Sequence, residues 1–256
     1  MINLLKYLLI SWCALACSAE SEEARRIEVP VVVDTSALFV QEPTDLGYRI
    51  EFLSARGVIK DLTFTQGGEV HTAQATQRRR AVPRPGPLSW IIGTAHAHPG
   101  HLAGGDVLGE LPGRHVINWL DDGAPIGTAT VVAGPFDGAG FVFAQGEARD
   151  GLTAGDPLLG QTLVLEGTAT RDGNTVGFIA AIDQDSDRQV VGIPFIVDVD
   201  GTRAIGFGLI GAGLFDGIDF HTLAGDAGQV TLTGPDLNRL RRATQSHEHF
   251  TALLRD

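Results

Sequence analysis

Apolar and polar positions alternate with a period of two through much of the chain. Tyr48, Ile50 and Phe52 fall on one face and Arg49 and Glu51 on the other, as in a half-buried strand. Apolar runs at Ile27 to Val33, Val58 to Phe64, Leu88 to His98 and Val116 to Leu120 predict further strands. Asp-Gly recurs at Asp122-Gly123, Asp137-Gly138, Asp150-Gly151, Asp172-Gly173, Asp200-Gly201 and Asp216-Gly217. Both residues tolerate the positive φ of type I′ turns, so these pairs predict a meander of antiparallel hairpins. Near the end the period changes. Thr233-Gly234-Pro235 offers a helix start with proline in the first turn, and Leu237, Leu240, Thr244, His247, Phe250 and Leu254 follow at helical spacing. The expected fold is all-β, an antiparallel β-sandwich or flattened barrel with a C-terminal helix packed on it. His247 would then lie on the helix's buried face and His249 off it.

Composition adds direction. The 33 glycines argue against a helix-rich chain. Residues Met1 to Ala16 read as an export signal, with Lys6, an apolar run from Tyr7 to Ala14, and Ala14-Leu15-Ala16 before Cys17. That run is too short for a permanent bilayer-spanning helix, and no later stretch is long and apolar enough. Cys17 would be the only cysteine left after cleavage, which excludes a disulfide within one chain and fits acylation. Its position resembles the bacterial lipobox, and Ser18 after it, by resemblance to sorted lipoproteins, implies the periplasmic face of the outer membrane. Residues 17–26 then form a lipidated tether and residues 27–256 a single β-rich domain. The formal net charge of −12 repels nucleic acid and anionic lipid and favours cations, so membrane association would run through the lipid anchor alone.

The chemistry gathers in one stretch. His96, His98 and His101 place three of the chain's eight histidines within six residues. On a strand, His96 and His98 point to the same side, and the turn signal Pro99-Gly100 bends the chain so that His101 approaches the same ion. Asp106, Glu110 or the distant His221 would complete a shell for zinc or copper(II). His221 stands beside Asp216 and Asp219 and reads as an ordinary strand histidine before it reads as a long-range ligand. Neutral imidazoles are required, so affinity should fall as pH drops through about 6.5.

Other motifs fail in context. Asp183-Gln-Asp185-Ser-Asp187 starts like a calcium loop, but Arg188 replaces the required glycine and Pro194 the closing glutamate. Gly206-Phe-Gly208-Leu-Ile-Gly211 matches the dinucleotide fingerprint as text, yet Gly213 and Asp216-Gly217 stand where its helix should run. Those glycines instead suggest close packing. Gly-x-Ser-x-Gly is absent, and Lys60 is the only lysine beyond the signal.

Ala97-His98-Pro99-Gly100-His101, followed by Gly105 to Glu110, resembles a segment of uncharacterised exported lipoproteins of Gram-negative bacteria. The plan is also loosely similar to periplasmic copper-binding proteins of the methanobactin-associated type. The resemblance covers the signal, the strand pair near Gly47 to Thr65 and the histidine stretch. It implies a metal-handling envelope protein, and the reading that follows is one that stores, senses or delivers zinc or copper, with an outer-membrane transporter or another envelope protein as the expected partner. Two other readings stay open: a periplasmic metalloenzyme with an open three-histidine site and Glu110 as base, and a partner-binding β-sandwich without metal.

Overall fold

The computed structural model describes residues 25–39, 42–67, 105–185, 187–224 and 228–256. The expected export signal, Cys17 with its tether as far as residue 24, the strand Leu88 to His98, His71, and the clustered His96, His98 and His101 lie outside the described residues. Eleven strands follow in chain order: β1 Arg26–Val33, β2 Arg49–Gln66, β3 Asp106–Asn118, β4 Pro125–Val132, β5 Gly134–Phe143, β6 Leu163–Arg171, β7 Asn174–Ile182, β8 Gln189–Val199, β9 Ala204–Leu209, β10 Gln229–Thr231 and β11 Phe250–Arg255. Two helices, α1 Phe220–Ala224 and α2 Gly234–Ala243, sit between the last strands. No helix among the described residues is long and apolar enough to cross a membrane.

Everything hangs on β2. One edge pairs with β3 from Arg56 to Gln66, while the other pairs first with β6, from Arg49 to Gly57, and then with β5, from Ile59 to Thr65. The two strands expected here, Tyr48 to Leu53 and Val58 to Phe64, are thus one strand of 18 residues. Nothing in Ser54-Ala55-Arg56-Gly57 demands a turn. Gly57 instead provides room, since a Cβ there would stand 2.7 Å from the ring of fully buried Trp119.

The sheet runs β10-β7-β6-β2-β3-β4-β1-β9-β11, with β5 and β8 branching from β2. It curls until β11 lies alongside β8, where no backbone ladder joins the two. Beside that seam, rings from β5, β9 and β11 pack together: the Phe141 ring lies 4.9 Å from Phe143, 5.5 Å from Phe207 and 4.8 Å from Phe250. The β-rich expectation therefore takes the form of one large mixed sheet, not closed by hydrogen bonds.

The mixture departs from the expected meander. β1 pairs in parallel with β9, and β10 in parallel with β7. Only Asp172-Gly173 forms a two-residue turn with both φ positive (53° and 79°) between paired neighbours, β6 and β7. Asp122-Gly123 turns β3 into β4, Asp137-Gly138 sits inside β5 at a register shift, and Asp150-Gly151 closes the 3-10 turn Ala148–Asp150. Asp200-Gly201 links β8 to β9, which do not pair, and Asp216-Gly217 lies in the loop before α1. Asp-Gly supplies a tight bend, whereas pairing depends on which apolar faces meet.

The expected C-terminal helix exists but is shorter. α2 carries Pro235 in its first turn and ends at Ala243. Ser246 caps the 3-10 turn His247–His249, and β11 pairs with β9 from Phe250 to Arg255. Phe250 and Ala252 face inward with strand periodicity. The sheet ladder and the aromatic seam outweigh the helical spacing of Phe250 and Leu254.

Candidate functional site

Two of the expected metal ligands sit on β3. Asp106 is its first residue, exposed and opposite Gln66, and Glu110 is exposed between Thr63 of β2 and Thr130 of β4. Glu110 also lines an open cleft of about 250 Å³ with Arg26 and Thr130. The chain leaves β2 at Gly67, whose N–H donates to Asp137 Oδ2 at 2.8 Å, and re-enters β3 at Asp106. His221 lies elsewhere. It bonds to Tyr48, at the opposite end of β2 from Asp106, and is the second residue of α1 rather than part of a strand. The structure therefore separates it from Asp106 and Glu110. Among the described residues, no group of three or more His, Cys, Asp or Glu side chains is placed to hold a metal.

A connected polar cluster is built around Tyr48, which is fully buried just ahead of β2. Its hydroxyl lies 2.5 Å from Asp219 Oδ1 and 2.8 Å from His221 Nδ1, and it accepts the His221 backbone N–H at 3.2 Å. The rings of Tyr48 and His221 stack at 5.3 Å with 23° between their planes. Arg171, at the end of β6, places its guanidinium carbon 4.4 Å from the Tyr48 ring centre and lies 3.6 Å from Asp219 Oδ1. Burial, reinforced by the bond to Asp219, pushes the Tyr48 hydroxyl above its ordinary range. The same bond, ahead of contributions from Thr222 and Arg171, holds the Asp219 carboxyl below its own.

These bonds define where the protons sit. Tyr48 donates to the carboxylate, which has no proton to give. Its oxygen then accepts from the His221 backbone and from Nδ1–H. His221 thereby presents Nδ1 to Tyr48 as the donating nitrogen, and its Nε2 is buried without a hydrogen-bond partner. The sequence brought Asp219 and His221 to notice through their adjacency. Tyr48 and Arg171 carried no such signal, because Tyr48 reads as one more apolar position of a strand and joins the cluster from 171 residues away.

His249 is placed differently. Its Nδ1 is buried without a hydrogen-bond partner, and its ring lies beside Gly213. Desolvation by burial lowers its pKa below the usual imidazole value, against the opposing pull of Glu248 and Asp216. The folded chain thus prefers neutral His249. Its effect on stability is absent above the unfolded pKa near 6.5 and becomes a loss as pH falls below it, where only the unfolded state readily takes the proton. Thermal unfolding between pH 7.5 and 5.5 should fall less steeply for His249→Gln than for the unchanged chain; equal slopes would remove His249 as a cause.

Two further polar groupings are internally satisfied. Arg255 makes paired bonds to Asp122 at 2.9 and 3.0 Å and reaches Asp34 Oδ2 at 3.4 Å, while Asp34 Oδ1 accepts from the N–H and hydroxyl of Ser36. This ties the C-terminal strand to the end of β1. In the acidic connection from β7 to β8, Asp183 bonds Gln145, Asp185 faces Arg241 and Asp187 pairs with Lys60. The carboxylates engage separate partners, as an acidic turn requires. Neither a family model, nor a curated protein, nor a solved structure matches this chain.

Proposed function

We propose that this chain is an exported, lipid-anchored protein that binds one zinc or copper ion through His96, His98 and His101. The observation carrying this reading is the His-x-His-x-x-His spacing in the sequence, a pattern that in an extended segment would set the first two imidazoles on one side, with the turn signal Pro99-Gly100 before the third. Support comes from the ground on which that segment stands. It precedes Asp106 by five residues, and the β2–β3 end bearing Asp106 also carries Asp137, bonded to Gly67. Asp106, or Glu110 four residues further along β3, supplies the oxygen ligand that a three-nitrogen set lacks. Cys17 carries the lipid and the residues between it and β1 form the tether, holding the domain at the periplasmic face of the outer membrane.

Elemental mass spectrometry on untagged protein purified from periplasm tests the reading. One equivalent of zinc or copper is expected, lost in the His96→Ala/His98→Ala double variant. Full metal content in that variant, or none in the unchanged chain after both ions are offered, would overturn it.

A further inference from the structure

β11 is bonded to the sheet along one edge only. It pairs with β9, while on its other side it lies beside β8 with no backbone ladder between them. Its two ends are fastened by different chemistry. At the far end Arg255 bonds Asp122 and the Val33 carbonyl and reaches Asp34. Arg255 in turn holds the Asp122 carboxyl below its usual range, so this clasp stays charged in mild acid. At the near end the turn His247–His249 packs against β8 and leads into the first ladder pair, Phe250 with Leu209. There the His249 carbonyl accepts from Ile210 N–H at 2.8 Å, and its ring lies beside Gly213 with Nδ1 buried and without a hydrogen-bond partner.

That position suits the neutral ring alone. Protonated, Nδ1 becomes a donor, and its buried surroundings offer the new N–H no acceptor. Two carboxylates face the ring, Glu248 of its own turn and Asp216 of the loop after β9, and desolvation outweighs both. Asp216 is engaged elsewhere, since its Oδ1 accepts from Asp45 N–H and Asp45 accepts from Gly217 N–H. From α2, Arg239 stands against Gly217. The one charged residue of β8, Asp198, sits opposite Pro135, at the far end of that strand from Val190 and its partner Phe141, whose ring meets Phe250. The other ionisable ring of the turn is His247. We propose that His249 is an acid-operated catch: when its ring takes a proton, the turn His247–His249 and the start of β11 leave β8, while Arg255 holds the other end of the strand as a hinge. The opening is local and leaves the rest of the sheet in place.

Hydrogen exchange followed by mass spectrometry on the full chain tests this, with each rate divided by the intrinsic rate at the same pH. A closed form that refuses the proton and an open form that takes it near pH 6.5 together raise the opening about tenfold between pH 7.5 and 5.5. The corrected exchange of Phe250 to Leu253 should rise by that factor with an onset near pH 6.5, while the β6–β7 hairpin keeps its protection. His249→Gln should abolish the rise, and His247→Gln should retain it. A profile flat to pH 5.5, a rise shared equally by β6 and β7, a rise that survives His249→Gln, or one lost in His247→Gln would overturn the proposal. Should His249→Gln fail to fold, His247→Gln and the onset decide: a rise starting only below about pH 5 belongs to carboxylates and overturns it.

Discussion

Phe141→Ala should lower the stability of the folded chain by about 3–5 kcal/mol, the usual cost of removing a buried aromatic ring. The ring is nearly fully buried on β5 and contacts Phe143 on its own strand, Phe207 on β9 and Phe250 on β11. Its place matters more than its size. Elsewhere neighbouring strands are joined by ladders, but between β11 and β8 the sheet meets itself without one. Beside that seam, rings from β5, β9 and β11 pack together, each edge-to-face pair contributing about 0.5–1.5 kcal/mol beyond the area it buries. The midpoint of thermal unfolding should drop on the order of 10 °C. Phe141→Leu retains most of the apolar volume and should cost about 1 kcal/mol. Guanidinium titration of both variants checks the pair. A loss near 1 kcal/mol for alanine would mean that the seam is held by something other than this cluster.

How much of this was legible beforehand follows from the range of the interactions involved. The alternation at Tyr48, Ile50 and Phe52 marked an inward face because its cause is local: side chains on a strand point alternately to either side. Asp172-Gly173 marked its hairpin for the same reason, since the turn needs two positive φ angles and those residues permit them. The parallel pairing of β1 with β9 had no local cause. It joins residues more than 170 positions apart and depends on which apolar faces meet, and no turn residue reports that. The end of the chain misled because Phe250 and Leu254 satisfy a helical spacing while Phe250 and Ala252 satisfy a strand's. A period alone cannot choose between them when the stretch is six residues long. At the polar cluster, adjacency revealed Asp219 and His221, but the residue that fixes the imidazole's protons was hidden as an apolar position of the first alternating strand.

Gly208→Ala tests the one glycine motif that imitated a known fingerprint. Its role here is steric: a Cβ at Gly208 would stand 2.3 Å from the carbonyl oxygen of Asp34 and 3.0 Å from Thr251 Cγ2. The backbone oxygen cannot retreat freely, because Asp34 N donates to the Phe207 carbonyl at 2.9 Å and the Asp34 side chain is buried against Ser36 and Arg255. Relief would require β9 to move away from β1 on one side or from β11 on the other, breaking the parallel ladder or the antiparallel one. Overpacking against a yielding side chain costs about 1–3 kcal/mol, and an obstacle made of backbone should bring this substitution to about 3 kcal/mol or more. Gly177→Ala is the matched control. A Cβ there meets only Gln229 and Gly228 at 3.5 Å or beyond, so alanine should be neutral or stabilise by a few tenths of a kcal/mol through the unfolded chain. Urea midpoints for the two variants separate the explanations. A large loss at Gly208 with none at Gly177 assigns the cost to the approach of β1 and β9, whereas equal small changes would mean that this approach has room to give.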